Sequence, residues 1–198
     1  MGNIKGLLFL GVVAVIGFTY LNGSSGPASA DLGIVLDRTK VAIEQYQDYL
    51  GDQKITEVTD QHMSELAVYM NDVMNAEPRI SDAPVAVDIL ADASFLGYAD
   101  VNDNLILDEG DTKLFTVEID SQNERLIASD GSGNATHTGF SGTGFLAGML
   151  IGNMLTRQRS AGVKPGSFNN RTSTPRSAYK SSSSARSRVR SGGLSGGK

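Results

Sequence analysis

Leu114-Phe-Thr-Val-Glu-Ile-Asp120, Ser121-Gln-Asn-Glu124 and Arg125-Leu-Ile-Ala-Ser129 follow one another without interruption. Two runs rich in β-branched and aromatic residues around a short polar stretch predict a β-hairpin. On its N-terminal side the apolar period lengthens. Between Leu32 and Leu50, residues Ile34, Val35, Leu36, Val41, Ala42, Ile43, Tyr46, Tyr49 and Leu50 recur at three- and four-residue spacing, which predicts an amphipathic helix ending at Gly51. A second helix is expected from Thr56 to Asn75, with Val58, Met63, Leu66, Ala67, Met70, Val73 and Met74 as its apolar stripe and Pro78 beyond its end. Asp82, Ala83 and Pro84 read as a cap followed by a first-turn proline, opening a third, shorter helix through Val85, Val87, Ile89, Leu90 and Phe95. The expected fold class is α+β: about three helices, then a small antiparallel hairpin or sheet, within residues 31–130.

Charge divides the chain more sharply than its net value of −5 suggests. All 22 acidic residues lie between Asp31 and Asp130, with only six basic residues among them, whereas ten of the 17 bases lie from Arg157 onward, where there is no acid. The two regions are therefore expected to meet different partners. The chain has no cysteine, which excludes disulfides, thiolate metal sites and thiol catalysis.

The ends have their own character. Gly6 to Leu21 carries no charge and comes directly after Lys5, so residues 1–30 read as an apolar helix serving as signal peptide or membrane anchor. Ala28-Ser-Ala30 fits a cleavage site, and sequence alone leaves cleavage and retention open. Residues 131–143 are rich in Gly, Ser and Thr and read as a linker. In the apolar segment 144–155, Gly144, Gly148 and Gly152 fall four apart, a glycine zipper suited to close helix packing or self-association in a membrane. Residues 156–198 are polar, basic and expected to be disordered, with anionic lipid or another polyanion as partner. If both apolar segments span, both termini lie inside and the acidic domain outside. Without an aromatic platform, a specific nucleic-acid site is not expected.

The sharpest chemical pattern is Asp100-Val-Asn-Asp-Asn-Leu-Ile-Leu-Asp-Glu-Gly-Asp111. Asp100, Asn102, Asn104, Asp108 and Asp111 occupy positions 1, 3, 5, 9 and 12 of a twelve-residue loop, and the Ile106 carbonyl stands at position 7. These are the places from which calcium takes its six to eight oxygens, so the stretch resembles EF-hand and dockerin-like loops, and the resemblance implies Ca2+. It departs from them in two ways. Leu105 stands where glycine is usual, and Asp111 replaces the longer glutamate. The histidines, His62 and His137, form no cluster in sequence, and no nucleophile elbow, phosphate loop or zinc-protease motif is present. An enzyme is not expected.

The end of the chain, Gly144-Phe-Leu-Ala-Gly-Met-Leu-Ile-Gly-Asn-Met-Leu155 followed by a Gly/Ser/Arg tail finishing Arg190-Ser-Gly-Gly-Leu-Ser-Gly-Gly-Lys198, resembles the YgiB-like family of bacterial envelope proteins. The similarity covers about the last third, and the family's cysteine-bearing N-terminal region has no counterpart here. It implies an envelope location and no activity. The expected function is that of a membrane-anchored envelope protein whose acidic extracytoplasmic, periplasmic domain binds a partner or divalent cations. A structural component assembled through the glycine face is the alternative, and a carboxylate-dependent enzyme a second one.

Overall fold

A computed structural model describes residues 30–140 and 148–175. Among these residues three helices, α1 (Leu32–Asp52), α2 (Asp60–Asn75) and α3 (Met149–Ser160), accompany five strands: β1 (Val85–Ile89), β2 (Phe95–Ala99), β3 (Thr112–Asp120), β4 (Arg125–Ser129) and β5 (Ala135–Gly139). The strands form one antiparallel sheet in sequence order, so the fold is α+β.

The first two helices arise from their periodicity and caps. Asp31 accepts from the Gly33 and Ile34 amides at 3.0 and 3.4 Å, and Val35, Ala42, Ile43 and Leu50 of α1 are buried. At α2, the Thr59 amide donates to His62 Nδ1 at 3.1 Å, so His62 closes a capping box rather than waiting for a ligand. Leu66, Met70 and Met74 join the α1 stripe in one core with Phe95, Phe115, Val117, Ile119 and Leu126 of the sheet. The predicted hairpin is present, with Thr116 opposite Ser129 and Asp120 opposite Arg125.

The expected third helix is absent. Val85 to Ile89 and Phe95 to Ala99 are instead paired strands, Val85 opposite Ala99 and Ile89 opposite Phe95. Val85, Val87 and Ile89 also satisfy a period of two, and pairing with β2, itself held on its other edge by β3, favours that reading. β1 gains a further fixture on its outer edge. Asn75 accepts from the Val85 amide at 2.8 Å and donates to its carbonyl at 2.7 Å, and Asn71 accepts from Val87 at 2.7 Å. Two asparagines one helical turn apart thus complete the ladder of an edge strand. Opposite Gly97 of β2 the ring of Phe115 lies so close that an added Cβ would come within 2.1 Å of it.

The linker and tail boundaries also change. Within residues 131–143, Ala135 to Gly139 form β5; its alternate side chains are small or polar, so it gave no apolar signal. The glycine-containing segment supplies α3, whose Leu150, Ile151 and Met154 are fully buried in the domain's own core. Asn153 donates to the Val58 carbonyl and Gln158 to the Ile119 carbonyl, both at 3.0 Å, and Arg157 pairs with Asp60. A twelve-residue helix buried in this way is not a membrane span, and among the described residues no helix is long and apolar enough to cross a membrane. Residues 148–175 therefore pack with the 31–130 domain, so the folded unit continues beyond Asp130.

The first part of the tail is ordered, contrary to expectation. Arg125 donates to the Phe168 carbonyl at 2.9 Å, Arg171 pairs with Glu118 at 3.0 Å, and Thr174 exchanges bonds with the amide and carbonyl of Ala135 at 3.0 and 2.6 Å. Polar contacts to the sheet replace the apolar burial that this stretch lacks. Residues 1–29 and 176–198, including the apolar N-terminal segment, lie outside the described residues.

Candidate functional site

The 100–111 loop joins β2 to β3, two strands held by the core, so its ends are fixed while its middle stands in solvent. Asp100 comes directly after β2 and is fully buried. Its Oδ1 accepts from the Asn104 amide at 3.2 Å and its Oδ2 from the Leu105 amide at 2.7 Å. At the other end Asp111 accepts from the Val101 amide at 3.0 Å and from the Asp108 amide at 3.1 Å. First and last carboxylates thus tie the loop to itself, each on backbone amides.

Between them, the side-chain amides of Asn102 and Asn104 both donate to Asp108 Oδ2, at 3.0 and 2.8 Å, and the side-chain Oδ1 of Asn104 accepts from the Ile106 amide at 2.8 Å. Hydrogen bonds from Asn102 and Asn104 hold the Asp108 carboxyl below its usual range, slightly opposed by desolvation. The turn requires left-handed backbone at Asp103 (φ 57°) and at Leu105 (φ 59°). Leucine costs about 1 kcal/mol there relative to glycine, as its place in the pattern predicts. Its side chain recovers little by packing, being 50% exposed.

All six residues read from the sequence as ligands therefore belong to one closed loop, with Asn102, Asn104 and Asp108 in direct contact. As it stands the loop is closed on its own hydrogen bonds: no group of three or more His, Cys, Asp or Glu among the described residues converges as a ready-made metal set. Tyr98 carries no such signal in the sequence. It lies fully buried two residues before Asp100, on the sheet face away from the main core, packed with Ala86, Leu96 and Leu107. Burial, then the charges of Asp88, Asp100, Asp111 and Asp108, lift its phenol above the ordinary range, and its hydroxyl has no protein partner among the described residues. The signal that would have found it is the strand period, which places residues 98 and 100 on one face.

The glycine residues expected to pack helices do not share one role. Gly148 caps the start of α3, where an added Cβ would lie 1.7 Å from Gln47 Oε1, while Gly152 has nothing within 4 Å. Gly144 lies outside the described residues. Gly148 thus allows close approach of α1 in the same chain, a use of small residues that needs no membrane.

A cavity of about 320 Å³ lies apart from the loop, bounded by Asp92, Ser94, Glu118, Gln158, Phe168 and Arg171. Its carboxylates are committed: Asp92 accepts from Ser94 at 2.6 Å and Glu118 pairs with Arg171. Neither histidine lines it. Comparison of the chain with protein-family models, with curated proteins and with solved structures gives no match in any of the three.

Proposed function

We propose that this chain is an envelope protein, delivered to or held at the membrane by its N-terminal apolar segment, whose extracytoplasmic domain is a non-catalytic binding module with a divalent-cation loop at 100–111. The observation that carries the reading is the loop's closure by Asp100 and Asp111 with left-handed residues at positions 4 and 6, Asp103 and Leu105. That arrangement aligns the side chains of positions 1, 3, 5, 9 and 12 on one concave side in calcium loops. Turning the Asn102 and Asn104 amides over would present their oxygens beside Asp108, with the Ile106 carbonyl completing the set. The shorter Asp111 and the strained Leu105 favour weak affinity, in the range of about 10⁻⁴ to 10⁻³ M used by extracellular modules.

Calcium at ten millimolar, roughly ten to a hundred times that dissociation constant, stabilises the folded chain by about 1.4–2.7 kcal/mol. The test is the melting temperature of the full chain with and without calcium, beside tyrosine-sensitised terbium luminescence. A rise of several degrees, lost in Asp108→Asn, and terbium emission lost in Tyr98→Phe are expected. An unchanged melting temperature together with absent terbium emission removes the cation loop from the reading and leaves a binding module only.

A further inference from the structure

The exposed side of the same loop has a second character. Val101, Leu105 and Ile106 are 68%, 50% and 57% exposed, three of the few large apolar side chains left in solvent among the described residues. Around them stand Asp103, Asp108 and Glu109, all exposed, and residues 100–111 hold five acids and no base. Exposed apolar side chains interspersed with exposed carboxylates suit a partner that is cationic and carries apolar side chains between its charges. An anionic lipid surface is repelled by them.

Such a sequence occurs in the chain itself. Residues 176–198 contain six bases and no acid, and Arg186-Ser-Arg-Val-Arg190 sets Val189 between two arginines. The place where the described chain ends favours contact. Thr174 bonds Ala135 at the start of β5, which stands opposite Ser129, itself opposite Thr116, four residues inside the start of β3. Pro175 therefore leaves at the end of the sheet that bears the 100–111 loop. With strands about 4.8 Å apart and about 3.3 Å per residue, Ala135 and Thr112 are on the order of 16 Å apart. Ten residues, 176–185, separate Pro175 from Arg186 and span up to about 33 Å. Burial of α3 in the core is what puts tail and loop on one side.

We propose that the basic segment 186–190 docks on the acidic, apolar-tipped 100–111 loop of its own chain, Val189 against Leu105 and Ile106 and the arginines against Asp103, Asp108 and Glu109. The tether gives the segment an effective concentration on the order of millimolar, which favours contact within a chain over contact between chains at ordinary protein concentrations.

The absence of cysteine permits a single nitroxide at Ser187→Cys in the full, ¹⁵N-labelled chain. With a chelator present, the outcome is independent of any cation on the loop. Selective loss of the Val101, Leu105 and Ile106 amide signals is expected, with Glu44 and Gln45 of α1 unaffected. The signals return at ~1 M salt, where the screening length falls to about 3 Å, and in the variant carrying Arg186→Glu, Arg188→Glu and Arg190→Glu. Uniform loss, loss that survives charge reversal, or loss seen equally when the nitroxide and ¹⁵N are on different copies overturns the proposal, the last in favour of docking between chains. Loss that requires added anionic vesicles overturns it in favour of a lipid partner for the tail.

Discussion

Asp100 and Asp130 begin in the same way. Each stands directly after the last residue of a strand at the same end of the sheet, is buried, and turns its carboxylate back on the amides of the residues ahead: Asn104 and Leu105 for Asp100, Ser132 and Asn134 for Asp130. The difference lies in the length and charge of the two connections. The β4–β5 turn returns within a few residues, and Asn134 donates back to Asp130 at 2.7 Å, so its single acid is fully used. The β2–β3 loop runs on through Asp103, Asp108, Glu109 and Asp111, and needs only Asp100 and Asp111 for closure. One aspartate makes a turn; the surplus acids of the longer loop make a surface that requires neutralisation, by a cation, by a basic segment or by water.

The comparison breaks most readily at its first residues. Asp100→Ala leaves two amides of the long loop without their acceptor and is expected to destabilise the chain by about 3 kcal/mol, since each bond to a carboxylate is worth ~1.5–3 kcal/mol. Urea unfolding measures this, and the calcium-dependent gain should vanish with it. Asp130→Ala is expected to cost less, about 2 kcal/mol, because the turn keeps its backbone bonds from Asp130 to Asn134 (3.0 Å) and from Gly133 to Asp130 (3.3 Å). Its calcium-dependent gain should persist. Loss of that gain in Asp130→Ala would place the cation outside the 100–111 loop.

Backbone strain gives a smaller contrast of opposite sign. Leu105→Gly relieves a left-handed leucine (φ 59°) and should stabilise by about 0.5 kcal/mol, whereas Gly133→Ala forces alanine to φ 83° and should destabilise by about 1 kcal/mol. A destabilised Leu105→Gly would mean that the leucine side chain is covered, as it would be by a docked segment. The smallest effect is in acid. The Asp108 carboxyl is lowered in the folded state, so its contribution is present above the ordinary aspartate value near 3.9 and is lost as pH falls through its own lower value. An NMR titration should show its midpoint returning toward the ordinary value in the Asn102→Ala, Asn104→Ala double variant.

The contrast between local and distant contacts also explains how much of the chain was legible. α1 and α2 could be read because each carries several turns of one apolar period, and the β3–β4 hairpin because its two runs are adjacent around a polar turn. The six loop positions were legible because their spacing is local and the strands on either side hold it at that spacing. Tyr98 was not, since its strand period stands out only once β2 is paired with β1 and β3.

Sequence alone therefore determined the elements whose pattern repeats locally: two amphipathic helices, one hairpin and one acid-rich twelve-residue loop. Tertiary structure decided what the short segments became. Val85 to Ala99 fits a helix or two strands until β3 and the Asn71 and Asn75 side chains supply the ladder partners that strands require. Leu150, Ile151 and Met154 fit a membrane or a protein core until α1 and the shared core offer the second. A run of five to twelve residues buries too little surface to choose its own environment, so the choice falls to residues distant in sequence.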